Sequence, residues 1–544
     1  MRRLFQQVTA LGLFLGLLLF SVASQNEVEI DSSAYTIGKA LYTKGVMPNG
    51  GLVKATIHGD ISVEGDQLIC ETCHRKSGMG STEGQQVVPA IAGNLLFKPL
   101  QLPTSKPPEP PVYRPAYTKQ TLMAAIRDGI DANGKPLDPF MPRYNIDEAS
   151  LEGLMAYVNT LSQTPSPGVT EETIHFSTIV LSSNSEMENK ALLDVMDAYV
   201  EQKNIETRHE SKRAKNAPWH KEWMFKPYRK WKIHTWELKG EEDTWRAQLD
   251  TYYLKQPVFA VINGLVPTGW VSVSEFCEDN SIPCLFPTTQ LPVISEQNHY
   301  SIYLDRGAVQ EAEAAASYIK KDLSHGGVIQ IYDSSDQLSI VALDALEKKL
   351  KNSGVRVKRF SLDQLSSISL SSIVSDVDGT MVLWLDKAKT DELLNDDAKL
   401  PDSLKIVISS QFYGTDTHNI HEDIRDSVLF VHSAEIPSKL NRLLIRSTGW
   451  FRAKRIYNKQ AQEIQANAYF ALKVVGDSVK HIRGYFYRDY LIEKIEHMID
   501  DLPYTSIYPR LSMAPEQRFA SRGYYMAKAD GKGGIINYTD WMSP

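Results

Sequence analysis

The sequence predicts a multidomain chain of two classes, an all-α domain over residues 32–163 followed by an α/β domain over residues 173–544. Three observations predict it. Up to about residue 163 the apolar residues recur at helical spacing, Pro and Gly are frequent, and no run reads as a strand. Beyond residue 173, short apolar runs alternate with amphipathic helical patterns, as in an open, largely parallel sheet covered on both faces. Between the two, residues 164–172 combine Pro, Ser, Thr and Gly without apolar periodicity, which reads as a linker. A chain of 544 residues is also too long for one ordinary core.

Taken in order, the chain opens on a targeting segment. Arg2 and Arg3 are positive, Leu11 to Phe20 is apolar, and Ser21, Val22 and Ala23 are small, so residues 1–24 read as a signal peptide. The apolar run is shorter than the roughly 20 residues a spanning helix needs. No Cys precedes Cys70 to carry a lipid, and no later stretch is long and apolar enough to span a bilayer. A periplasmic protein with no membrane span is therefore expected. The apolar content of 42% against 23% charged is an ordinary globular balance. Loss of Arg2 and Arg3 takes the net charge from −7 to −9, and a mildly acidic chain argues against nucleic acid as a partner.

In the first domain a helix is expected from Ser33 to Lys44, with Ile37 and Leu41 on one face and Gly45 ending it. A second runs from Thr118 to Asp128. A third follows Asp147, a good N-cap, with Leu151, Leu154, Met155, Val158 and Leu161 at helical spacing. A proline-rich excursion, Pro99 to Pro115, reads as a surface loop. In the second domain the strand-like runs are 176–181, 258–263, 328–332, 355–360, 381–385, 404–409 and 428–431, with helices over 190–202, 311–323 and through Leu343 to Leu350; helical pattern dominates from Lys439 onward. Residues 212–239 are rich in Lys, Arg and Trp and read as an insertion holding a partly buried aromatic cluster. The alternative is a basic docking patch for an acidic redox partner.

The most informative motif is Cys70-Glu71-Thr72-Cys73-His74. In an exported chain, C-x-x-C-H reads as a c-type haem attachment site: two thiols add to the haem vinyl groups and the His binds iron. A structural zinc site needs about four ligands, and the other cysteines are distant. A redox dithiol needs a βαβ setting, which this domain lacks. One covalently bound haem c is therefore the expected cofactor. Its second axial ligand is expected to be Met141, in Asp138-Pro139-Phe140-Met141-Pro142-Arg143-Tyr144, where prolines stiffen the backbone. Met79 follows His74 too closely, Met123 and Met155 sit on helices, and His58 precedes a loop. Cys277 and Cys284, seven residues apart, read as a local disulfide. No catalytic triad order, phosphate loop or dinucleotide fingerprint stands out, so an enzyme is not expected.

The first domain resembles a class I cytochrome c domain. The resemblance rests on Gly38 and Tyr42, Cys70 to His74 with Ser77, Gly78 and Gly80, Pro89 and Gly93, residues 125–130, Met141 to Tyr144, and Leu154, Tyr157 and Leu161. It implies crossed first and last helices, thioether bonds at Cys70 and Cys73, and iron held by His74 and Met141; the proline-rich insert departs from the pattern. The second domain resembles type I periplasmic binding proteins of the branched-chain amino-acid kind. That match rests on strand order, on Phe259 to Gly264, on Ile282 to Thr289, and on residues 466–476. It implies two α/β lobes closing over a small molecule.

Ligands of open α/β sheets sit at the carboxyl ends of strands. The candidate loops are 265–269, 288–289, 333–335 and 409–413, with Thr268, Thr288, Thr289, Ser334 and Ser409 as candidate contacts. Together these readings make the chain an expected periplasmic mono-haem cytochrome passing single electrons to a redox partner, with the second domain docking or sensing. The alternative is a solute-binding or sensor protein of ABC-transporter type whose ligand binding is modulated by haem redox state.

Overall fold

The computed structural model describes residues 32–57, 61–65, 69–83, 86–101, 113–208, 229–267, 269–322, 326–365, 370–374, 379–395, 400–401, 403–482, 484–502 and 506–543. The expected signal peptide, His58, Trp219, Trp223 and Thr268 lie outside them. The chain divides between Thr164 and Pro165 into two compact units.

The first unit is organised by α1 (Ser32–Lys44) and by α4 (Glu148–Val158). Helix α1 ends at Gly45, whose φ of 63° is the left-handed conformation a C-terminal cap favours. Helix α4 begins at Asp147, whose carboxylate accepts the Ser150 amide at 2.8 Å. The two helices pack at Gly38 and Gly153, where a Cβ on Gly38 would overlap the Gly153 carbonyl. Their crossing places the Tyr42 and Tyr157 rings 5.2 Å apart in a core with Leu41, Leu122, Leu151 and Leu154. Between them in sequence lie α2 (Cys70–His74), one helical turn at Gly93–Leu96, and α3 (Lys119–Arg127), the last capped by Thr118.

The unit is mixed α/β, not all-α. Strands β1 (Lys54–Ile57), β2 (Ile61–Glu64) and β7 (Arg143–Tyr144) form an antiparallel sheet in the order β2-β1-β7. Two strand pairs, β3 (Ser81–Glu83) with β4 (Gln86–Val88) and β5 (Leu100–Gln101) with β6 (Tyr113–Arg114), lie between. Strands of two to four residues are too short to establish a period-2 pattern, and their pairing is decided by contacts between distant segments.

The second unit holds two open sheets. In the first lobe the order is β12-β11-β10-β8-β9, all pairings parallel: β8 (Thr173–Leu181), β9 (Lys230–Leu238), β10 (Ala260–Ile262), β11 (Cys284–Leu285) and β12 (Ser301–Ile302). Helices α5 (Glu186–Glu206), α6 (Trp245–Lys255) and α7 (Val271–Asp279) cover it. In the second lobe the order is β14-β13-β15-β16-β17-β18-β19. Five strands there are parallel, β13 (Val328–Tyr332), β14 (Val357–Ser361), β15 (Thr380–Trp384), β16 (Lys405–Ser409) and β17 (Val428–His432). Strands β18 (Tyr525–Ala529) and β19 (Ile535–Asn537) add antiparallel, within a stretch whose sequence reads as helical. Helices α8 (Ala308–Asp322) and α9 (Gln337–Leu350) pack on this sheet.

The chain crosses between the lobes more than once. After β17 it returns to the first lobe, where α10 (Gln462–His481) and α11 (Arg488–Met498) join the core with Phe176, Phe259 and Phe286. It then goes back to supply β18. The crossings run through Asp305, Ser433 and residues near Ser521, whose amide donates to Leu304 O at 2.6 Å.

Strand β9 corrects the reading of an insertion for residues 230–238, and residues 212–228 lie outside the described residues. It pairs with β8 over nine residues, and Trp231 and Trp236 are each 2% exposed. Lys230 and Lys232, on either side of Trp231, are exposed, and Trp231 and Trp236, five residues apart, enter different cores on opposite faces of the sheet. Cys277, in α7, and Cys284, in β11, form a disulfide, both fully buried.

Candidate functional site

The first unit encloses a cavity of about 660 Å³. Aliphatic residues including Leu41, Val53, Ile91, Leu96, Leu122 and Leu154 line most of it, and Cys70, Cys73, His74 and Met141 line it too. Helix α2 presents its motif to this space. Cys70 and Cys73 are both thiols, the first pushed up to about 12 by burial. The Nδ1 of His74 lies 3.1 Å from the Pro89 carbonyl. A carbonyl can only accept, so Nδ1 carries the proton and Nε2 keeps its lone pair. Burial draws the His74 pKa down to about 4, so the imidazole is neutral at physiological pH. Tyr42 fixes the turn after the motif by donating to Arg75 O at 2.6 Å.

Met141 is the methionine brought to the cavity wall; Met79, Met123 and Met155 are not among its lining residues. Residues 102–112 of the proline-rich excursion lie outside the described residues. Its C-terminal edge contributes Arg114, buried, whose guanidinium donates to Leu95 O at 2.6 Å and to Leu96 O at 3.2 Å. Sequence patterning read this segment as surface loop and missed Arg114 as a cavity residue. Among the described residues no group of three or more His, Cys, Asp or Glu could hold a bare metal ion. The space, the thiols and the neutral imidazole with an oriented ring fit a large planar group attached through both sulfurs.

In the second unit the carboxyl ends of the strands meet at the crevice between the lobes. Thr288 and Thr289 follow β11 and line a cavity of about 40 Å³ with Asp305, Asn467 and Tyr508. The Thr289 hydroxyl is engaged with Pro267 O at 3.3 Å, while Thr288 Oγ1 has no hydrogen-bond partner. Gln290 Nε2 donates across the crevice to Gln411 O at 3.1 Å.

Two other candidate contacts donate their hydroxyl protons within the chain. Ser334 is exposed and donates to Asp363 Oδ2 at 2.8 Å. Ser409 is fully buried and donates to Glu311 Oε2 at 2.5 Å. Glu311, on α8, collects four donors, the Ser409 and Ser433 hydroxyls and the Gln411 and Ser433 amides, between 2.5 and 3.2 Å, and Ser410 Oγ lies 2.9 Å away with its one proton shared toward His432 Nδ1. Burial raises the pKa of Glu311 and of Asp305, and these hydrogen bonds oppose the shift. Beside loop 333–335, Lys389 binds Asp333 at 2.5 Å and holds its carboxyl down at about 2. Sequence patterning missed Asp305, Glu311, Asn467 and Tyr508, which carry no local motif.

No protein-family model matches the chain, and no curated protein matches it. Solved structures do. A branched-chain amino acid ABC transporter protein from Thermus thermophilus, with bound valine, matches at a TM-score of 0.50 and 10% identity, covering 69% of this chain and 98% of that one. A leucine-binding protein from Thermotoga maritima matches at 0.48 and 14% identity, covering 68% and 99%. A fatty acid ABC transporter substrate-binding protein from Thermomonospora curvata matches at 0.47 and 14% identity, covering 70% and 95%. This chain therefore contains the two-lobed α/β fold of type I periplasmic binding proteins.

That finding corrects the expectation of a cytochrome working in electron transport with an accessory second domain. More than two thirds of the chain has the fold of a substrate-binding protein, and the expected redox partner falls with the electron-carrier reading. Among the described residues no helix is long and apolar enough to cross a membrane.

Proposed function

We propose that the chain is an exported solute-binding or sensor protein of ABC-transporter type. Its two-lobed unit captures a small molecule, and its N-terminal unit carries one haem c whose redox state modulates that capture. The observation that carries the binding reading is the crevice where the strand ends of two open α/β sheets converge around a polar cavity. The substrate-binding proteins of the same fold support it by analogy. Export is supported by the charge and hydropathy pattern of residues 1–24.

A specific observation favours the haem. The C-x-x-C-H motif faces a cavity of about 660 Å³ whose wall also holds Met141. In this reading Cys70 and Cys73 would attach the group, and His74, through its unprotonated Nε2, and Met141 would hold its iron. When bound, the group supplies a redox-active iron whose potential the axial ligands tune. The Pro89 carbonyl fixes the His74 ring.

The test is a visible spectrum and intact mass of protein made with a haem-attachment system, followed by solute titration of the oxidised and reduced forms. A covalent haem mass, a Met–Fe(III) charge-transfer band lost in Met141→Ala, and a solute affinity that changes on reduction are expected. Absence of covalent haem removes the haem reading. Equal affinities in both redox states remove the modulation and leave a plain solute-binding protein.

A further inference from the structure

The cavity beside Thr288 and Asp305 brings a buried carboxylate together with buried polar atoms that have no partner. Asp305 is 6% exposed and sits where the chain crosses between the lobes. Its Oδ1 accepts the Gly307 amide at 3.0 Å, and Tyr508 donates its hydroxyl to the same carboxyl. Ser433 Oγ lies closer to Glu311 Oε1, at 3.1 Å, than to Asp305 Oδ2, at 3.4 Å, and has one proton to give. Glu311 is thus saturated with donors, whereas Asp305 is left with capacity on the side of the cavity. No Lys, Arg or His among the described residues pairs with Asp305.

An independent group points into the same space. Asn467, on α10, is 5% exposed and lines the cavity, and its Oδ1 has no partner. Thr288 Oγ1, whose residue also lines the cavity, has none either. A buried carboxylate, an orphaned amide oxygen and an orphaned hydroxyl call for a compact group with several donors and a positive charge. An ammonium has three or more N–H donors and no acceptor. A volume of about 40 Å³ holds such a head group and not a whole organic solute.

The nearby cations are spoken for. Arg306 makes two bonds to Glu313, and Lys389 is held by Asp333 and Asp386. Neither of these two is free to clamp a carboxylate.

We propose that this cavity receives the ammonium head of a small primary amine lacking a carboxylate, with Asp305 as counter-ion and Asn467 and Thr288 as acceptors. The inference rests on the solute-binding reading and names the class of solute.

The test is calorimetric titration of the full chain with ammonium chloride, n-propylammonium, tetramethylammonium, butyrate and leucine. Propylammonium is expected to bind, and tetramethylammonium, butyrate and leucine are not. Asp305→Asn is expected to weaken propylammonium about tenfold or more. Asn467→Leu is a second variant, should Asp305→Asn fail to fold, and is expected to weaken it as well. Ammonium binding as tightly as propylammonium would assign the cavity to the free ion and overturn the organic amine. Binding of butyrate or leucine without propylammonium would overturn the inference while leaving the solute-binding reading in place. Binding of no probe would overturn the inference, and a screen of further solutes by thermal shift then decides the solute-binding reading separately.

Discussion

His432 is buried at the end of β17 with its two ring nitrogens engaged, Nδ1 at 2.7 Å from Ser410 Oγ and Nε2 at 3.2 Å from Glu435 O. Burial lowers its pKa to about 4, against about 6.5 for an exposed imidazole. Between those values the unfolded chain binds the proton and the folded chain does not, so stability falls as pH drops through this window and levels off below about 4. The neighbouring Asp305 and Glu311 are raised by burial, so their protonation in acid favours the fold and opposes this loss. Urea unfolding between pH 7 and pH 4 should show the wild type losing roughly 3 kcal/mol more than His432→Gln, an upper figure from the size of the shift. Parallel pH profiles for the two proteins would contradict the assignment.

At the scale of elements, the crossing of α1 and α4 depends on two missing side chains. A Cβ on Gly38 meets the Gly153 carbonyl, and a Cβ on Gly153 meets Ile37 and the backbone of α1. Neither obstacle is the far end of a flexible chain, so the helices must separate. Gly38→Ala should cost about 1–3 kcal/mol in the first unit and lower its thermal midpoint by calorimetry. An unchanged midpoint would mean that the helices do not approach so closely. In the second unit the disulfide ties α7 to β11 across a short loop. Removing it in Cys277→Ala/Cys284→Ala should destabilise that unit by about 2.5 kcal/mol from loop entropy. Equilibrium unfolding monitored by tryptophan fluorescence checks this, since Trp236 and Trp270 share the core cluster that holds both cysteines.

At the scale of the whole molecule the prediction concerns linkage. If haem redox state modulates solute capture, the solute must shift the haem midpoint by the same factor that reduction changes its affinity. A tenfold affinity ratio corresponds to about 59 mV for a one-electron couple. Spectroelectrochemical titration with and without saturating solute measures the shift, and titration of each redox form measures the ratio. A ratio without a matching shift would violate the cycle and expose an artefact; neither effect would mean that the two units are only tethered.

Local chemistry in this chain was legible in its residues. Thr118 and Asp147 mark helix starts because a side-chain oxygen accepting an early amide is a contact within three residues. C-x-x-C-H names its chemistry because its parts are contiguous, and Cys277 and Cys284 can meet because seven residues of chain keep them near. The βα alternation of residues 173–431 announces parallel sheets because each element buries its own apolar face. Tertiary structure decided what depends on segments far apart. It placed Trp231 and Trp236 inside a sheet edge and gave Ser409 to Glu311. It paired two-residue strands in the first unit, where local pattern holds no signal. It also brought Asp305, Asn467 and Tyr508 around one cavity. Each of those three is an unremarked residue in its own segment, and it acquires a role only when burial removes the water that would otherwise satisfy its polar atoms.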